Sequence, residues 1–413
     1  MEILITHGWS EQNAGDYAIE HAILDVVDAV TGGNNHFTFY SLFDRADPRL
    51  KAHNTLKSQR DDIRVMPSLW GTPPIQYSRA RKMLYVLKSL FRAIFIIISL
   101  RSGFTGSKRI SAFKKADLVV VKGGTFIYTI PGLRGMIFGF RILLPIIIAT
   151  MLQKKTIVAP HSFGPFNNKL MDPLIFRYLK KLDWIFCREE ESLHFLKSKG
   201  IEHTSFLPDM AFFNKGYPGL KHDRLTIGIT ARPLDFVQRN RKTIYKDYLD
   251  AITYYIETIT EKHPQVEVRL IPQVIGPDPR EDDTLALKEI FNCLSVQAQS
   301  RTVLIEGKLR QPDELIKLYS GLDILIGTRM HSIIFGLLSG VKPIAIAYLG
   351  PKHSGIMNSF GLSTYVTSIV SIDKDFLVTN TEKLLDTDLS ADILEKAGIY
   401  RQMIFDEFTK HIG

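Results

Sequence analysis

The stretch 321–348, GLDILIGTRMHSIIFGLLSGVKPIAIAY, constrains the fold of this chain more than any other. A short apolar run over 322–326 reads as a strand, and Gly327, Thr328 and Arg329 form a tight polar turn. A helix opens at Met330 and His331, and a second strand runs over 343–348, which together make a βαβ unit. In parallel α/β sheets ligands bind beyond the carboxyl ends of the strands, where the next helix begins with unpaired N–H groups and a partial positive charge. Arg329, His331 and Ser332 fall at that place. Arginine offers a permanently charged, bidentate clamp for carboxylate or phosphate, and histidine exchanges protons near neutral pH. The corner therefore suits an anionic substrate, the plainer alternative being a helix cap or a surface contact.

The same alternation runs along the chain. A strand over 2–8 ends in Gly8, and the polar loop WSEQNAGD feeds a helix with Ala18, Ile19, Ala22, Ile23, Val26 and Val27 on one face. Asn13, Gly15 and Asp16 sit where the strand feeds the helix and so line a crevice of the same kind, or Asp16 is only an N-cap. A strand over 37–42 is followed by an irregular, Pro-containing segment. The strand over 117–122 runs into Gly123, Gly124 and Thr125, a glycine pair that lets a ligand or helix approach the backbone closely. The strand over 156–160 runs into His161, Ser162, Phe163 and Gly164. Arg188 closes a strand over 184–188, where it binds substrate or pairs with the glutamates that open the helix over 189–199.

Residues 214–224, NKGYPGLKHDR, have the composition of a linker, and beyond it the alternation restarts with a strand over 225–231 closed by Arg232. A chain of 413 residues fits two domains. The expected division is an N-terminal α/β domain over 1–218 and a C-terminal α/β domain over 219–413, with the terminal amphipathic helix over 391–411 crossing back onto the first. Two such domains imply a cleft toward which Arg232, Arg329 and His331 point.

The formal net charge of +9 points to anionic partners. Between Asp62 and Asp172 the only acidic residue is Asp117, whereas Arg79, Arg81, Lys82, Lys88, Arg92, Arg101, Lys108, Arg109, Lys114 and Lys115 crowd one stretch. Within it 83–100 is strongly apolar yet holds Lys88 and Arg92, and 136–152 is apolar around Arg141; neither is a clean span of about 20 apolar residues. A buried core helix is expected for the second run. For the first, two readings stand: a core helix whose cations reach solvent by their long stems, or a helix lying on an anionic bilayer surface. The two cysteines, Cys187 and Cys293, have no metal-ligand spacing and no signal peptide precedes the first strand, so the expected location is the cytoplasm, peripheral to the membrane under the second reading. Cations interleaved with long aliphatic runs make nucleic acid an unexpected partner.

With these residues in place, the chain resembles the polysaccharide pyruvyl transferase family over nearly its whole length. The resemblance is carried by N-A-G-D at 13–16, G-G-T-F at 123–126, H-S-F-G-P-F at 161–166, C-R-E-E-E-S at 187–192, P-D-M-A-F at 208–212 and G-T-R-M-H-S at 327–332. It implies a glycosyltransferase-B-like fold of two Rossmann-like domains facing a cleft, with phosphoenolpyruvate as donor co-substrate. It further implies transfer of pyruvate as a ketal onto a sugar of a cell-surface polysaccharide or its lipid-linked precursor. Arg232, Arg329 and His331 are then donor-site positions, and Asn13, Asp16 and Gly124 the facing wall. Position at strand ends adds Ser332 to the donor side and Gly123, His161, Ser162 and Arg188 to the wall. The basic segment 79–115 is not part of the family signature.

Phosphoenolpyruvate carries a carboxylate and a phosphate and needs at least two cationic anchors. Ketal formation requires protonation of its methylene carbon, attack by one sugar hydroxyl, loss of phosphate and closure by a second hydroxyl. Arg329 is expected to stabilise the departing phosphate and His331 to carry the proton, with His161 next in line. No step needs a metal or a redox cofactor. The competing readings are a nucleotide-sugar glycosyltransferase of the same fold and a non-catalytic component of polysaccharide assembly.

Overall fold

Runs such as Leu118–Val121, LVVV, and Ile324–Gly327, ILIG, have no polar face to offer solvent, and all eight of these residues are buried. Strands of this kind belong to parallel sheets covered on both faces. The structure, a computed structural model, describes residues 1–45, 47–53, 56, 60–70, 73–74, 77–103, 110–219, 223–234, 241–348 and 352–413. Lys108 and Arg109 of the basic segment, and 220–222 of the linker-like stretch, lie outside them.

The chain forms two compact units, one of Met1–Glu11, Ile19–Met210 and Met403–Gly413, the other of Gln12–Ala18 and Ala211–Gln402. The division falls at Met210/Ala211, ahead of the Gly- and Pro-rich stretch expected to carry it. The reason is apolar: Phe212 already packs on Phe360 and Tyr400 of the second unit, with ring centroids 5.7 and 5.2 Å away.

The first unit contains β1 (Glu2–Gly8), most of α1 (Ala14–Thr31), β2 (His36–Ser41), β3 (Ile63–Met66), α2 (Arg79–Arg101), α3 (Ser111–Lys115), β4 (Leu118–Val121), α4 (Gly132–Met151), β5 (Lys155–His161), α5 (Met171–Leu179), β6 (Trp184–Cys187), α6 (Glu190–Ser198) and β7 (Thr204–Phe206). Its sheet has the order β3-β2-β1-β4-β5-β6-β7, with every neighbouring pair parallel.

The second unit contains β8 (Thr226–Thr230), α7 (Arg241–Lys262), β9 (Glu267–Leu270), α8 (Asp283–Cys293), α9 (Val296–Gln299), β10 (Thr302–Leu304), α10 (Pro312–Ser320), β11 (Ile324–Gly327), α11 (Met330–Leu337), β12 (Lys342–Ala347), α12 (Lys352–Ser359), β13 (Val366–Ser368), α13 (Lys374–Leu385) and the start of α14 (Ser390–Ile412). Its sheet runs β10-β9-β8-β11-β12-β13, again all parallel. The last turns of α14 belong to the first unit, where His411 stacks on Trp184 at 4.2 Å and Phe408 on Phe186 at 5.6 Å.

In both sheets the strand order reverses at the centre, between β1 and β4 and between β8 and β11. The helices that follow such a pair diverge to opposite faces and leave a crevice at the carboxyl ends, which makes this the ligand position in doubly wound folds.

The two long apolar helices differ in kind, although both are long and apolar enough to cross a membrane by length and composition. Half of α4 is inside the unit, with Ile142, Leu143, Leu144, Ile146, Ile147 and Ile148 buried. In α2 only Ser89, Ala93 and Ile96 are buried, whereas Met83, Phe91 and Phe95 are 67%, 70% and 64% exposed. An ordinary core helix does not leave such residues in solvent, so that reading of 83–100 does not hold for its outer face.

Candidate functional site

The site of the second unit is built from two adjacent strand ends. β8 and β11 pair in register, Gly327 opposite Thr230, so the residues that follow them, Arg232 and Thr328 to Arg329, emerge side by side at the point where the strand order reverses. Hydroxyl groups tie the two ends together. Thr230 Oγ1 accepts from Thr328 N at 3.1 Å and bonds Ser332 Oγ at 3.0 Å, while Ser332 Oγ donates to the Arg329 carbonyl at 2.6 Å. Tyr248 OH accepts from Arg232 N at 3.3 Å and bonds Thr328 Oγ1 at 2.9 Å. Ser332 is thus fully buried with its hydroxyl engaged on both sides by the protein, which makes it a brace for the turn.

Arg329 is clamped. Its Nε and Nη2 donate to Asp283 Oδ1 at 3.0 and 2.5 Å, and Nη2 also donates to the Glu281 carbonyl at 2.9 Å. Among the described residues these bonds leave Nη1 unused. Asp283, at the start of α8, is itself fixed by Gln273 N and Val274 N donating to Oδ2 at 3.0 and 2.9 Å. Burial lowers the Arg329 pKa, but Asp283, with Tyr348 and Glu281, together outweigh it and hold the guanidinium above its ordinary value.

Arg232 is only 6% exposed and lies 4.5 Å over the ring of Tyr348. Burial and then the charge of Arg329 lower its pKa. Two guanidinium groups thus lie within each other's electrostatic reach in a largely buried corner.

His331, second residue of α11, packs on the first turn of α1, where the loop from β1 ends. A Cβ on Gly15 would lie 2.6 Å from His331 Cε1 and nearer still to Nδ1 and Cγ, so glycine is required there. That loop is anchored within the same unit: Asn13 bridges Val274, Ala14 N donates to Gln273 O at 3.0 Å and Ile275 N to Gln12 O at 2.9 Å. Asn13 Oδ1 accepts from Gly15 N and Asp16 N at 3.1 and 3.4 Å. The capping role considered for Asp16 thus belongs to Asn13, and Asp16 is an acid in the first turn of α1.

One further histidine joins this group and was missed from the sequence. His353, second residue of α12, is 2% exposed, and its Nε2–H donates to the Thr328 carbonyl at 2.9 Å. The Nδ1 atom is then a lone-pair acceptor, buried and without a hydrogen bond among the described residues. Burial pushes this imidazole down to about 4, helped by the charges of Lys352, Arg232 and His331, and its ring stands 5.2 Å from that of Tyr348. The signal was available: His353 follows the carboxyl end of β12 as Arg329 follows that of β11.

The remaining sequence candidates gather in the first unit as a packed network. Gly124, at φ +145°, forms a parallel bridge to His161, and a Cβ on Gly123 would lie 2.7 Å from the Pro160 carbonyl. His161 is fully buried between Phe126 and Phe163, and its Nε2 accepts from Phe126 N and Ile127 N at 3.2 and 3.1 Å. Both bonds need Nε2 unprotonated, so His161 anchors the loop after β4 through that nitrogen and carries its proton on Nδ1.

Arg188 reaches Asp209 at 2.5 Å, Ser162 Oγ at 2.7 Å and Thr125 Oγ1 at 2.6 Å, with Glu189 at 3.5 Å, and Ser162 donates onward to Glu189 at 2.5 Å. The ion-pair alternative describes Arg188, with Asp209 as its principal partner. Among the described residues no group of three or more His, Cys, Asp or Glu side chains comes together to hold a metal ion.

Comparison with known proteins agrees with this architecture. The chain is 24% identical over 321 residues to the amylovoran biosynthesis protein AmsJ of Erwinia amylovora, covering 73% of this chain and 74% of that one. Its fold is similar to that of a putative UDP-N-acetylglucosamine 2-epimerase from Listeria monocytogenes, with TM-score 0.58, 14% identity and coverage of 99% and 96%. S. aureus MnaA, solved with UDP, gives 0.56, 10% identity and coverage of 100% and 97%. At such identities these two structures speak for the glycosyltransferase-B-like fold alone. The profile of one family matches residues 13–350, from the loop that carries Asn13 to the end of β12 and just beyond. The chain belongs to the polysaccharide pyruvyl transferase family, transferases of polysaccharide biosynthesis.

Proposed function

We propose that this protein transfers pyruvate from phosphoenolpyruvate to a sugar of a surface polysaccharide or its precursor, forming a ketal at the second unit's site. The observation that carries the reading is the convergence of Arg232, Arg329, His331 and His353 around the ends of β8, β11 and β12 in a chain of this family. Arg232 and the Nη1 of Arg329 bind the donor's phosphate and carboxylate, and a bound dianion relieves the mutual repulsion of the two guanidinium groups. His331 delivers a proton to the methylene carbon of the enol. One sugar hydroxyl adds to the adjacent carbon and loses its proton to Nδ1 of the neutral His353. The C–O bond to phosphate then breaks, with the departing charge facing the arginines and the phosphate taking the proton from His353, and a second hydroxyl closes the ketal and returns its proton to His331. Asp283 and Ser332 position Arg329, and Gly15 leaves room for His331.

The acceptor is met at an anionic membrane surface through α2. Met83, Leu87, Phe91, Ile94, Phe95 and Ile98 are exposed at helical spacing, flanked by Arg79, Arg81, Lys88 and Arg101. Each cation near anionic headgroups contributes about 1 kcal/mol. Flotation is expected with vesicles containing anionic lipid at low salt and not with neutral ones. Equal recovery with both, or a dimer that covers α2, removes this part of the reading.

Phosphoenolpyruvate is expected to raise the melting temperature where UDP does not, and phosphate release is expected to require a saccharide. Arg232→Ala should weaken the donor response strongly, since truncating one partner of a desolvated charge pair costs about 2 to 5 kcal/mol. A response to UDP in place of phosphoenolpyruvate would assign the site to a nucleotide-sugar donor.

A further inference from the structure

The loops that lead from β4 to α4 and from β5 to α5 are tied to one another along their length. Ser162 N donates to the Gly124 carbonyl at 2.9 Å, Gly164 N to Ile127 O at 3.0 Å, Thr129 N to Pro165 O at 2.9 Å and Asn167 N to Thr129 Oγ1 at 2.8 Å. Asn168, itself buried, closes the pair. Its Nδ2 donates to the carbonyls of Ile130 and Gly132 at 3.1 and 3.0 Å, and its Oδ1 accepts from Met171 N, at the start of α5, at 3.1 Å. A Cβ on Gly135 would collide with the Ile130 carbonyl, so the first turn of α4 fits closely against the loop.

At their base these loops bury their apolar residues. Phe166 packs on Phe176 and Phe195, with ring centroids at 4.9 and 5.3 Å, and Ile127 is buried. At the tip the opposite holds. Ile130, Leu133 and Leu170 are 42%, 70% and 73% exposed, and the Asn168 bonds bring the backbone that carries them together. A single exposed leucine is ordinary, but three apolar side chains on two clamped loops form one patch.

The patch is basic. Arg134 and Lys169 are exposed beside Leu133 and Leu170. Asp172, three residues beyond Lys169, is engaged inside the loop network, accepting from Thr129 Oγ1 at 2.6 Å and Asn168 N at 3.0 Å. The patch also adjoins α2. Leu133 begins a stripe of α4 at helical spacing, continued by Ile137, Phe140 and Leu144, and these three share an apolar cluster with Val86, Leu90 and Ile97 of α2. Leu133 thus stands one turn beyond the contact that α2 makes. A second copy of this chain would set these cations against themselves, whereas an anionic bilayer answers both the apolar tips and the charge.

We propose that the paired loops 129–134 and 167–170 are a second bilayer contact, with Ile130, Leu133 and Leu170 entering the headgroup region of an anionic membrane and Arg134 and Lys169 meeting its lipid phosphates. The proposal rests on the membrane reading given above, in which α2 is the first contact. It adds an orientation, since a body held by one helix can roll about that helix. Because the loops stand beyond the carboxyl ends of β4 and β5, this contact turns the ligand side of the first sheet toward the lipid.

The test is co-sedimentation of the full chain, at low salt, with vesicles of phosphatidylglycerol and phosphatidylcholine. Leu133→Ser with Leu170→Ser should lower the partition coefficient at least about tenfold and leave the melting temperature unchanged, since both side chains are exposed. Arg134→Gln with Lys169→Gln should lower it about fivefold for each charge, without altering binding to phosphatidylcholine alone. A polarity-sensitive dye on Leu170→Cys, in a Cys293→Ser background that leaves only the buried Cys187, should shift to the blue with the anionic vesicles. Phe91→Ser with Phe95→Ser separates the two contacts. If this α2 variant loses binding while the loop variant binds as the parent chain does and the dye does not shift, the loop contact is overturned and the α2 reading stands. Loss in the loop variant alone keeps the loops and removes α2, and absence of binding by the parent chain overturns both. A dimer of the free protein that the serine changes at 133 and 170 dissociate assigns the patch to a second copy and also overturns the proposal.

Discussion

Gly15→Ala reads the link between the N-A-G-D loop and His331 through a sign. In the first turns of a helix alanine is normally better than glycine by about 1 kcal/mol, so without a neighbour the substitution should stabilise the protein. Here the new methyl group would stand 2.6 Å from His331 Cε1 and closer to Nδ1 and Cγ, while ordinary contact begins at 3.4 Å. The ring must retreat by roughly 1 Å or more, and because Cγ is among the atoms hit, rotation about χ2 alone does not clear it; overpacking of this kind costs about 1 to 3 kcal/mol. The net expectation is a fall in melting temperature of a few degrees, at about 2 to 4 °C per kcal/mol for a unit of this size. Displacing a reacting group by about 1 Å lowers turnover on the order of a hundredfold, with donor affinity altered less. Thermal melts of Gly15→Ala, His331→Ala and the double variant form a closed cycle. In the His331→Ala background the glycine change should turn neutral or stabilising, and equal destabilisation in both backgrounds would refute the contact as the cause.

Asp283→Asn should destabilise the second unit by about 3 to 5 kcal/mol, seen in denaturant melts, and weaken the phosphoenolpyruvate response, because Arg329 loses the carboxylate that fixes it. Arg188→Met should cost a similar amount by stranding Asp209 while leaving the donor response intact; a loss under about 0.5 kcal/mol, the range of surface changes, refutes its structural role. The buried histidines His7, His53 and His353 are held near 4, 3 and 4 by burial, below the ordinary 6.5. The unfolded chain therefore binds more protons, so the stability they confer is complete above about 6.5 and is lost as pH falls toward 4, at up to about 1.4 kcal/mol per pH unit for each. Melting curves between pH 7.5 and 5 should slope accordingly, and a flat profile contradicts neutral burial of these rings.

The central strands and the site corner were legible because their residues obey two rules at once. The apolar runs ending at Gly8, Val121 and Gly327 are too short for helices and too apolar for half-exposed strands, and each has a glycine at its end or two residues beyond it, where the chain must turn. Four strands were not legible: Ile63–Met66, Thr204–Phe206, Thr302–Leu304 and Val366–Ser368 lie at sheet edges, where three or four partly exposed residues carry no periodic signal. Partners far along the chain were equally hidden. Nothing local to Arg329 points to Asp283, nor anything near Arg188 to Asp209, because each pair is created by the sheet order. His161 is a further case: its place at a strand end does not reveal that its Nε2 accepts two backbone N–H groups of the loop after β4.

The two units share one winding and differ in how each satisfies the charge at its centre. In the first, Lys122 follows β4 and is buried, but Glu20 answers it at 3.4 Å, and Glu20 also accepts from Trp9 N at 2.8 Å and lies 3.8 Å from His53. The point where the strand order reverses is thus closed by an internal counter-ion. In the second unit the reversal point holds Arg232 and Arg329, with Asp283 answering chiefly the latter. The same winding therefore carries a charge balanced internally at one reversal point and two neighbouring arginines at the other.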